Sequence, residues 1–236
     1  MRFSIHFVLL CAVVLILPAV STAQVFPSKP LRIVVPFGAG GVVAGDMVAK
    51  ADADGHTLLL ISNATAVSAG LFKALPFDTL RDFAPVSTLG FFDLAIITPA
   101  ESLFKSLGDL LAYAKAKPGR LNLATISIGS TQNLAAELFK SSAGVDIQIV
   151  PYNSSPAVIT ALRGRQVDAA VEILAPVLSQ INSGALRALA IAGAARASVL
   201  PDVPTAKESG VTGDSLHRAG MAWLCPPIRP SRSLPD

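Results

Sequence analysis

Three times in this chain a short apolar run ends in a loop of small residues and passes into a helical stretch. Leu31-Arg32-Ile33-Val34-Val35 is closed by Pro36 and followed by Gly38, Gly40 and Gly41, after which Val42 to Ala51 reads as a helix. Thr57 to Ile61 leads into Ser62-Asn63-Ala64-Thr65, and Leu121 to Ile126 leads into Ser127-Ile128-Gly129-Ser130-Thr131. Strands that alternate with helices in this way point to α/β lobes with largely parallel sheets. The same device constrains function. The first amides of a helix lack partners and sit at the positive end of its dipole, so such a junction can hold an anion without a basic side chain. Glycine lets a ligand approach the backbone, and in open α/β sheets these loops gather at the carboxyl ends of the strands. Taken singly, each loop is better explained by helix capping, and it is the recurrence of three that points to binding.

The rest of the chain continues the alternation. Ser106, with Asp109 three residues on, caps a helix whose apolar face is Leu107, Leu110, Leu111 and Ala114, and Pro118-Gly119 ends it. The helix after Thr131 carries Leu134, Ala135, Leu138 and Phe139. Ile147 to Val150 is a strand, and Ser155 caps a helix with Pro156 at its first position. Val167 to Ile173 is a strand, Val177 to Ser183 a helix and Leu186 to Ile191 a strand. One strand, Asp93 to Thr98, is expected in the stretch from Phe83 to Pro99, and no periodicity is found after Leu216.

Residues 1–23 read as an export signal. Arg2 is followed by the apolar run Phe7 to Leu17, and Ser21-Thr22-Ala23 supplies the small residues before cleavage at Gln24. The run is short for a membrane anchor, which needs about 20 apolar residues. Arg2 leaves with the signal, so the balance of 19 basic to 16 acidic residues becomes 18 to 16. That near balance, with no basic stripe, excludes nucleic acid as a natural partner. Cys11 also leaves, and Cys225 then has no partner for a disulfide. His6, His56 and His217 are far apart and form no metal-binding pattern, so no metal and no cofactor is expected.

Two enzyme patterns fail. Gly38-x-Gly40 lacks the third glycine of a dinucleotide loop, since Val43 stands there, and the next strand ends in Ser62 rather than an acid. Ser130 lies in a Gly-Ser-Thr run without the elbow of a serine hydrolase, and no histidine and acid pair with it. An exported hydrolase using Ser130 is the alternative class, and no catalytic residue is assigned.

Several segments together resemble the periplasmic solute-binding receptors of tripartite tricarboxylate transporters, often called Bug proteins. They are Phe26-Pro27-Ser28-Lys29-Pro30 with the strand and Gly40-Gly41 that follow, Asp54-Gly55-His56-Thr57-Leu58-Leu59, and Asp82-Phe83-Ala84-Pro85-Val86. Ala116-Lys117-Pro118-Gly119, Val150-Pro151-Tyr152, and Leu200-Pro201-Asp202-Val203-Pro204-Thr205 with Glu208-Ser209-Gly210 complete the set. The resemblance implies a two-lobed periplasmic binding protein of type II, with lobe 1 formed by 24–101 plus 192–236 and lobe 2 by 102–191. It implies a small carboxylate ligand and the membrane subunits of a transporter as partners. Carried over by position, the ligand residues are Phe37, Gly38, Ala39, Gly40, Gly41, Ser62 and Asn63 in lobe 1. In lobe 2 they are Ser127, Gly129, Ser130, Thr131, Tyr152 and Glu172, the last standing where relatives often have Asp and expected to read the far end of the ligand.

The pattern departs from the family in four places. Asn133 stands where relatives have His, and Asn153-Ser154 replaces a Lys-Gly pair. Only about a dozen residues separate Gly41 from Asp54, so a helix and a strand of lobe 1 are expected to be missing. The family pattern is also lost from Gly213 onward. An incomplete lobe 1 would leave an open sheet edge and uncovered apolar faces. The second alternative is therefore a remnant of such a receptor that folds in part and does not bind.

Overall fold

The structure is a computed structural model that describes residues 26–36, 41–62, 65, 70, 72–211 and 219–226. Residues 1–23, expected to be an export signal, and Phe37, Gly38, Ala39, Gly40 and Asn63 lie outside the described residues. The chain divides into two units, Met1–Leu31 and Arg32–Asp236. In the first, residues 26–31 are exposed and carry no regular element. The second holds two sheets.

The first sheet has the order β1-β2-β9-β3. Its strands are β1 (Arg32–Val34), β2 (Thr57–Ser62), β3 (Ala84–Phe92) and β9 (Ala219–Cys225). β1 and β2 are parallel, with Arg32 opposite Thr57. β9 runs antiparallel to both its neighbours. Helix α1 (Val42–Ala49) connects β1 to β2. Gly41 caps it with φ 69°, a conformation open to glycine at little cost. Gly45 is needed for a different reason: a Cβ there would lie 2.5 Å from the Phe77 ring. Phe77 and Phe83 meet edge to face at 5.4 Å, and with Val48 and Leu59 they form a buried cluster among the described residues of this part. Around that small core many apolar side chains remain in solvent. Val43 is 80% exposed, Phe91 67% and Ile33 53%.

The second sheet has the order β6-β5-β7-β4-β8. Its strands are β4 (Leu94–Pro99), β5 (Asn122–Ile126), β6 (Gln148–Tyr152), β7 (Ala169–Ile173) and β8 (Leu186–Ala192). β5 is parallel to β6 and β7, and β4 is antiparallel to β7 and β8. Four helices belong to it: α2 (Leu107–Ala116), α3 (Thr131–Ala143), α4 (Ser155–Arg163) and α5 (Leu174–Asn182). One face of the sheet buries Leu94, Ile96, Leu123 and Val171 against Leu110 and Phe139 of α2 and α3. The other buries Ala95, Ile97, Ala124 and Ala170 against Val158, Leu162 and Val177 of α4 and α5. A sheet covered on both faces explains the continuous apolar runs of β4 and β7.

The sheets are mixed rather than largely parallel, because each accepts one reversed strand. β4 and β9 are those strands. The stretch from Phe83 to Pro99 holds two strands instead of one, and they belong to different sheets with Asp93 between them. β4 therefore joins the second sheet, although the sequence boundary at 101/102 put it with the first lobe. β3 escaped the sequence reading because Pro85 and Gly90 break its alternation; its register shifts between Pro85 and Ser87 and between Thr88 and Gly90. β9 escaped it because Ala219-Gly220-Met221-Ala222 has little pattern. Paired on both sides, it draws its ladder from β2 and β3.

The segment Pro204-Thr205 with Glu208 fastens the chain that leaves β8. The Ile191 amide donates to the Pro204 carbonyl, and the Ala206 amide donates back to the Ile191 carbonyl. Glu208 accepts from the Thr205 amide at 2.8 Å and from Arg196 Nε at 2.9 Å, while its own amide donates to Thr205 Oγ1. The Arg196 guanidinium holds the Glu208 carboxyl below the usual carboxylate range. This motif is thus a structural clasp.

Candidate functional site

The three parallel strands β6, β5 and β7 end together, with Ile126 opposite Tyr152. Helices α3, α4 and α5 begin at those ends, so three positive helix termini converge at one edge of the sheet. Here the structure places Ser127, Gly129, Ser130, Thr131, Tyr152 and Glu172. Gly41 and Ser62 are elsewhere, at the N-cap of α1 and the last position of β2 in the first sheet. Both are half-buried.

The loop before α3 is tightly self-bonded. Ser130 Oγ donates to the Ile126 carbonyl at 3.1 Å and accepts from the Asn133 amide at 3.1 Å. Its hydroxyl is therefore committed to capping, and its proton points at a carbonyl rather than at a base. The Gly129 amide donates to Asn133 Oδ1 at 3.0 Å, and Asn133 Nδ2 reaches Thr125 Oγ1 at 3.4 Å. Asn133, where relatives have histidine, braces the loop from inside. Sequence reading offered Gly129 and Ser130 as donors to a ligand; the structure shows those donors already engaged. The amides of Thr131 and Gln132, in the first turn of α3, find no acceptor among the described residues.

Glu172 lies just below this edge and is fully buried. Its Oε2 accepts from Ser155 Oγ at 2.9 Å, from the Ile173 amide at 3.2 Å and from Gln132 Nε2 at 3.4 Å. Its Oε1 is buried and has no hydrogen-bond partner among the described residues. Burial pushes its carboxyl above the ordinary value, against the opposing pull of the Ser155, Gln132 and Ile173 donors. Ser155 is the first residue of α4 rather than its cap. Ser154 takes the cap position without a side-chain bond, and the Ser155 hydroxyl is spent on Glu172. Gln132 and Ser155 were not singled out from sequence as partners of Glu172. The available signal was position alone, since each stands in the first turn of a helix that starts beside β7.

Comparison with known proteins adds to this geometry. A family model described as the tripartite tricarboxylate transporter family receptor matches residues 29–233. Protein BugT of Bordetella pertussis is 34% identical over 222 residues, a match covering 80% of this chain and 68% of that protein. A periplasmic transporter of solved structure superposes with a TM-score of 0.77 at 27% identity, covering 87% of this chain and 79% of the other. MatC from Rhodopseudomonas palustris, solved with bound malate, superposes with a TM-score of 0.74 at 26% identity, covering 87% of this chain and 80% of that one.

Proposed function

The chain belongs to the tripartite tricarboxylate transporter receptor family, and we propose on that premise that it captures a small carboxylate outside the cytoplasm and delivers it to a membrane transporter. The observation that carries this reading is the edge where α3, α4 and α5 begin, with the Thr131 and Gln132 amides unengaged. Two or more helix termini can hold a carboxylate by main-chain donors alone. The malate held by MatC supports a small dicarboxylate as the ligand class. In this reading Thr131, Gln132 and Tyr152 face one end of the ligand, and Gly41 and Ser62 of the first sheet serve the other. Closure that excludes water lets few hydrogen bonds suffice for affinity.

The test is thermal unfolding of the protein alone and with a panel of malate, succinate, citrate and a neutral sugar. A receptor gains melting temperature with one or more carboxylates and not with the sugar, since any ligand of the native state stabilises it. A second reading is favoured by the exposed Val43, Phe91 and Ile33 of the first sheet. It is a receptor remnant that folds around the second sheet and holds no ligand. The same panel separates the two, because the remnant melts at one temperature under every condition.

A further inference from the structure

Glu172 has hydrogen bonds of a kind that an ionised carboxylate does not choose. All three donors converge on Oε2, and Oε1 is buried with none. A charged carboxylate accepts at both oxygens, whereas a neutral acid accepts at its carbonyl oxygen and carries the proton on the other. The arrangement leaves Oε1 as the oxygen at which a proton would sit. Among the described residues of the elements around it, no cation offsets a negative charge there. β4, β5 and α5 contribute no charged residue. On α3, Glu137 is exposed and Lys140 is turned to the Ile147 carbonyl and Asp146. On α4, Arg163 is the last residue, at the far end from Ser155. The Tyr152 phenol ends β6, and Asp93 precedes β4, its carbonyl accepting the Leu174 amide.

We propose that Glu172 takes up a proton when an anion docks at the amino termini of α3 and α4, so that ligand capture by this protein is proton-linked. This rests on the carboxylate-receptor reading above. The ionised Glu172 and a ligand carboxylate draw on the same two positive helix ends, through Gln132 on α3 and Ser155 on α4. Two negative charges in one water-poor region disfavour each other, and the one that can shed its charge does so. The proton comes from solvent to Oε1, and no other bond changes. By reciprocity, protons must then favour ligand binding as much as ligand favours protonation. Affinity is greatest where Glu172 is already neutral in the free protein, and it falls as pH rises through the value at which Glu172 ionises there.

The experiment is calorimetric titration of malate into the full chain, in pairs of buffers with different ionisation enthalpies, from about pH 6.5 to about pH 8.5, where the ligand carboxylates stay ionised. Wild type is expected to take up a fraction of a proton per malate bound, with affinity falling as pH rises, by at most about tenfold per pH unit, wherever that uptake is seen. Glu172→Gln, permanently neutral and of the same shape, is expected to bind with no proton uptake and no pH dependence. Ser155→Ala removes the shortest bond to the ionised form. It should keep the uptake and move it to higher pH, which gives a second readout if the glutamine variant does not fold. Binding of malate to wild type without buffer-dependent heat overturns the proposal, as does unchanged uptake in Glu172→Gln. Absence of heat with malate, succinate and citrate in every variant overturns the receptor reading, and this proposal with it.

Discussion

Asn133 takes the Gly129 amide on its Oδ1 at 3.0 Å, from one turn inside the helix that the Gly129 loop introduces. That bond, with the Ser130 cap, makes the loop between β5 and α3 a closed hydrogen-bonded unit. On the proposed reading those bonds hold the next two amides, at Thr131 and Gln132, in place for a ligand, and preorganised donors cost less to bring to an anion.

Asn133→Ala leaves the buried Gly129 amide without an acceptor. Such a loss costs about 1–3 kcal/mol. Chemical denaturation should show a lower midpoint with an unchanged slope, and a variant as stable as wild type would mean that water replaces the side chain.

The capping box at α2 gives a prediction with a pH sign. Ser106 Oγ accepts the Asp109 amide, and the Asp109 carboxylate accepts the Lys105 and Ser106 amides. Those donors, the Lys105 amide first, hold the Asp109 carboxyl below its ordinary value. A depressed carboxyl stabilises the fold above the unfolded value, and that contribution is lost as pH falls through the folded one. Ser106→Ala should cost about 1 kcal/mol at neutral pH. Asp109→Asn should flatten the decline of stability in acid, measured as the unfolding midpoint between neutral and strongly acidic buffers.

The clasp between Arg196 and Glu208 should hold the chain against the end of β8. Glu208→Ala removes the acceptor for both the Thr205 amide and Arg196 Nε. Hydrogen exchange is expected to speed up at the Ile191 and Ala206 amides, which join this segment to the strand. Exchange in the remainder of β8 should be unchanged. Faster exchange throughout the second sheet would show a global role instead.

Among the described residues the two sheets differ in buried apolar content, and stability should follow. Phe139 is fully buried between α3 and the second sheet, and Phe139→Ala should cost about 3–5 kcal/mol. The first sheet rests on the small cluster of Val48, Leu59, Phe77 and Phe83. Amides of β1 and β2 should therefore exchange through openings of lower free energy than those of β5 and β7. Equal protection in both sheets would refute this ordering.

Local pattern was enough to find much of this protein in its sequence. The Ser106 cap with Asp109, the helix opened by Ser130, and the apolar strands β5 and β7 each depend on neighbours within a few residues, so the chain specifies them by itself. The family also was legible, because its segments lie in loops and strand ends whose residues are set by local geometry. The order of the strands was not. β9 is nearly patternless and exists as a strand through pairing with β2 and β3, and β4 crosses to the second sheet because Glu172 and Ala192 lie on the strands beside it. The setting of Glu172 belongs to the same class. Sequence placed an acid at the end of a strand; only packing, which seals it under α3 and α4 and turns Gln132 and Ser155 toward one of its oxygens, determined what kind of acid it is. Short-range capping and periodicity are written along the chain, while burial and desolvation are properties of surfaces that meet only after folding.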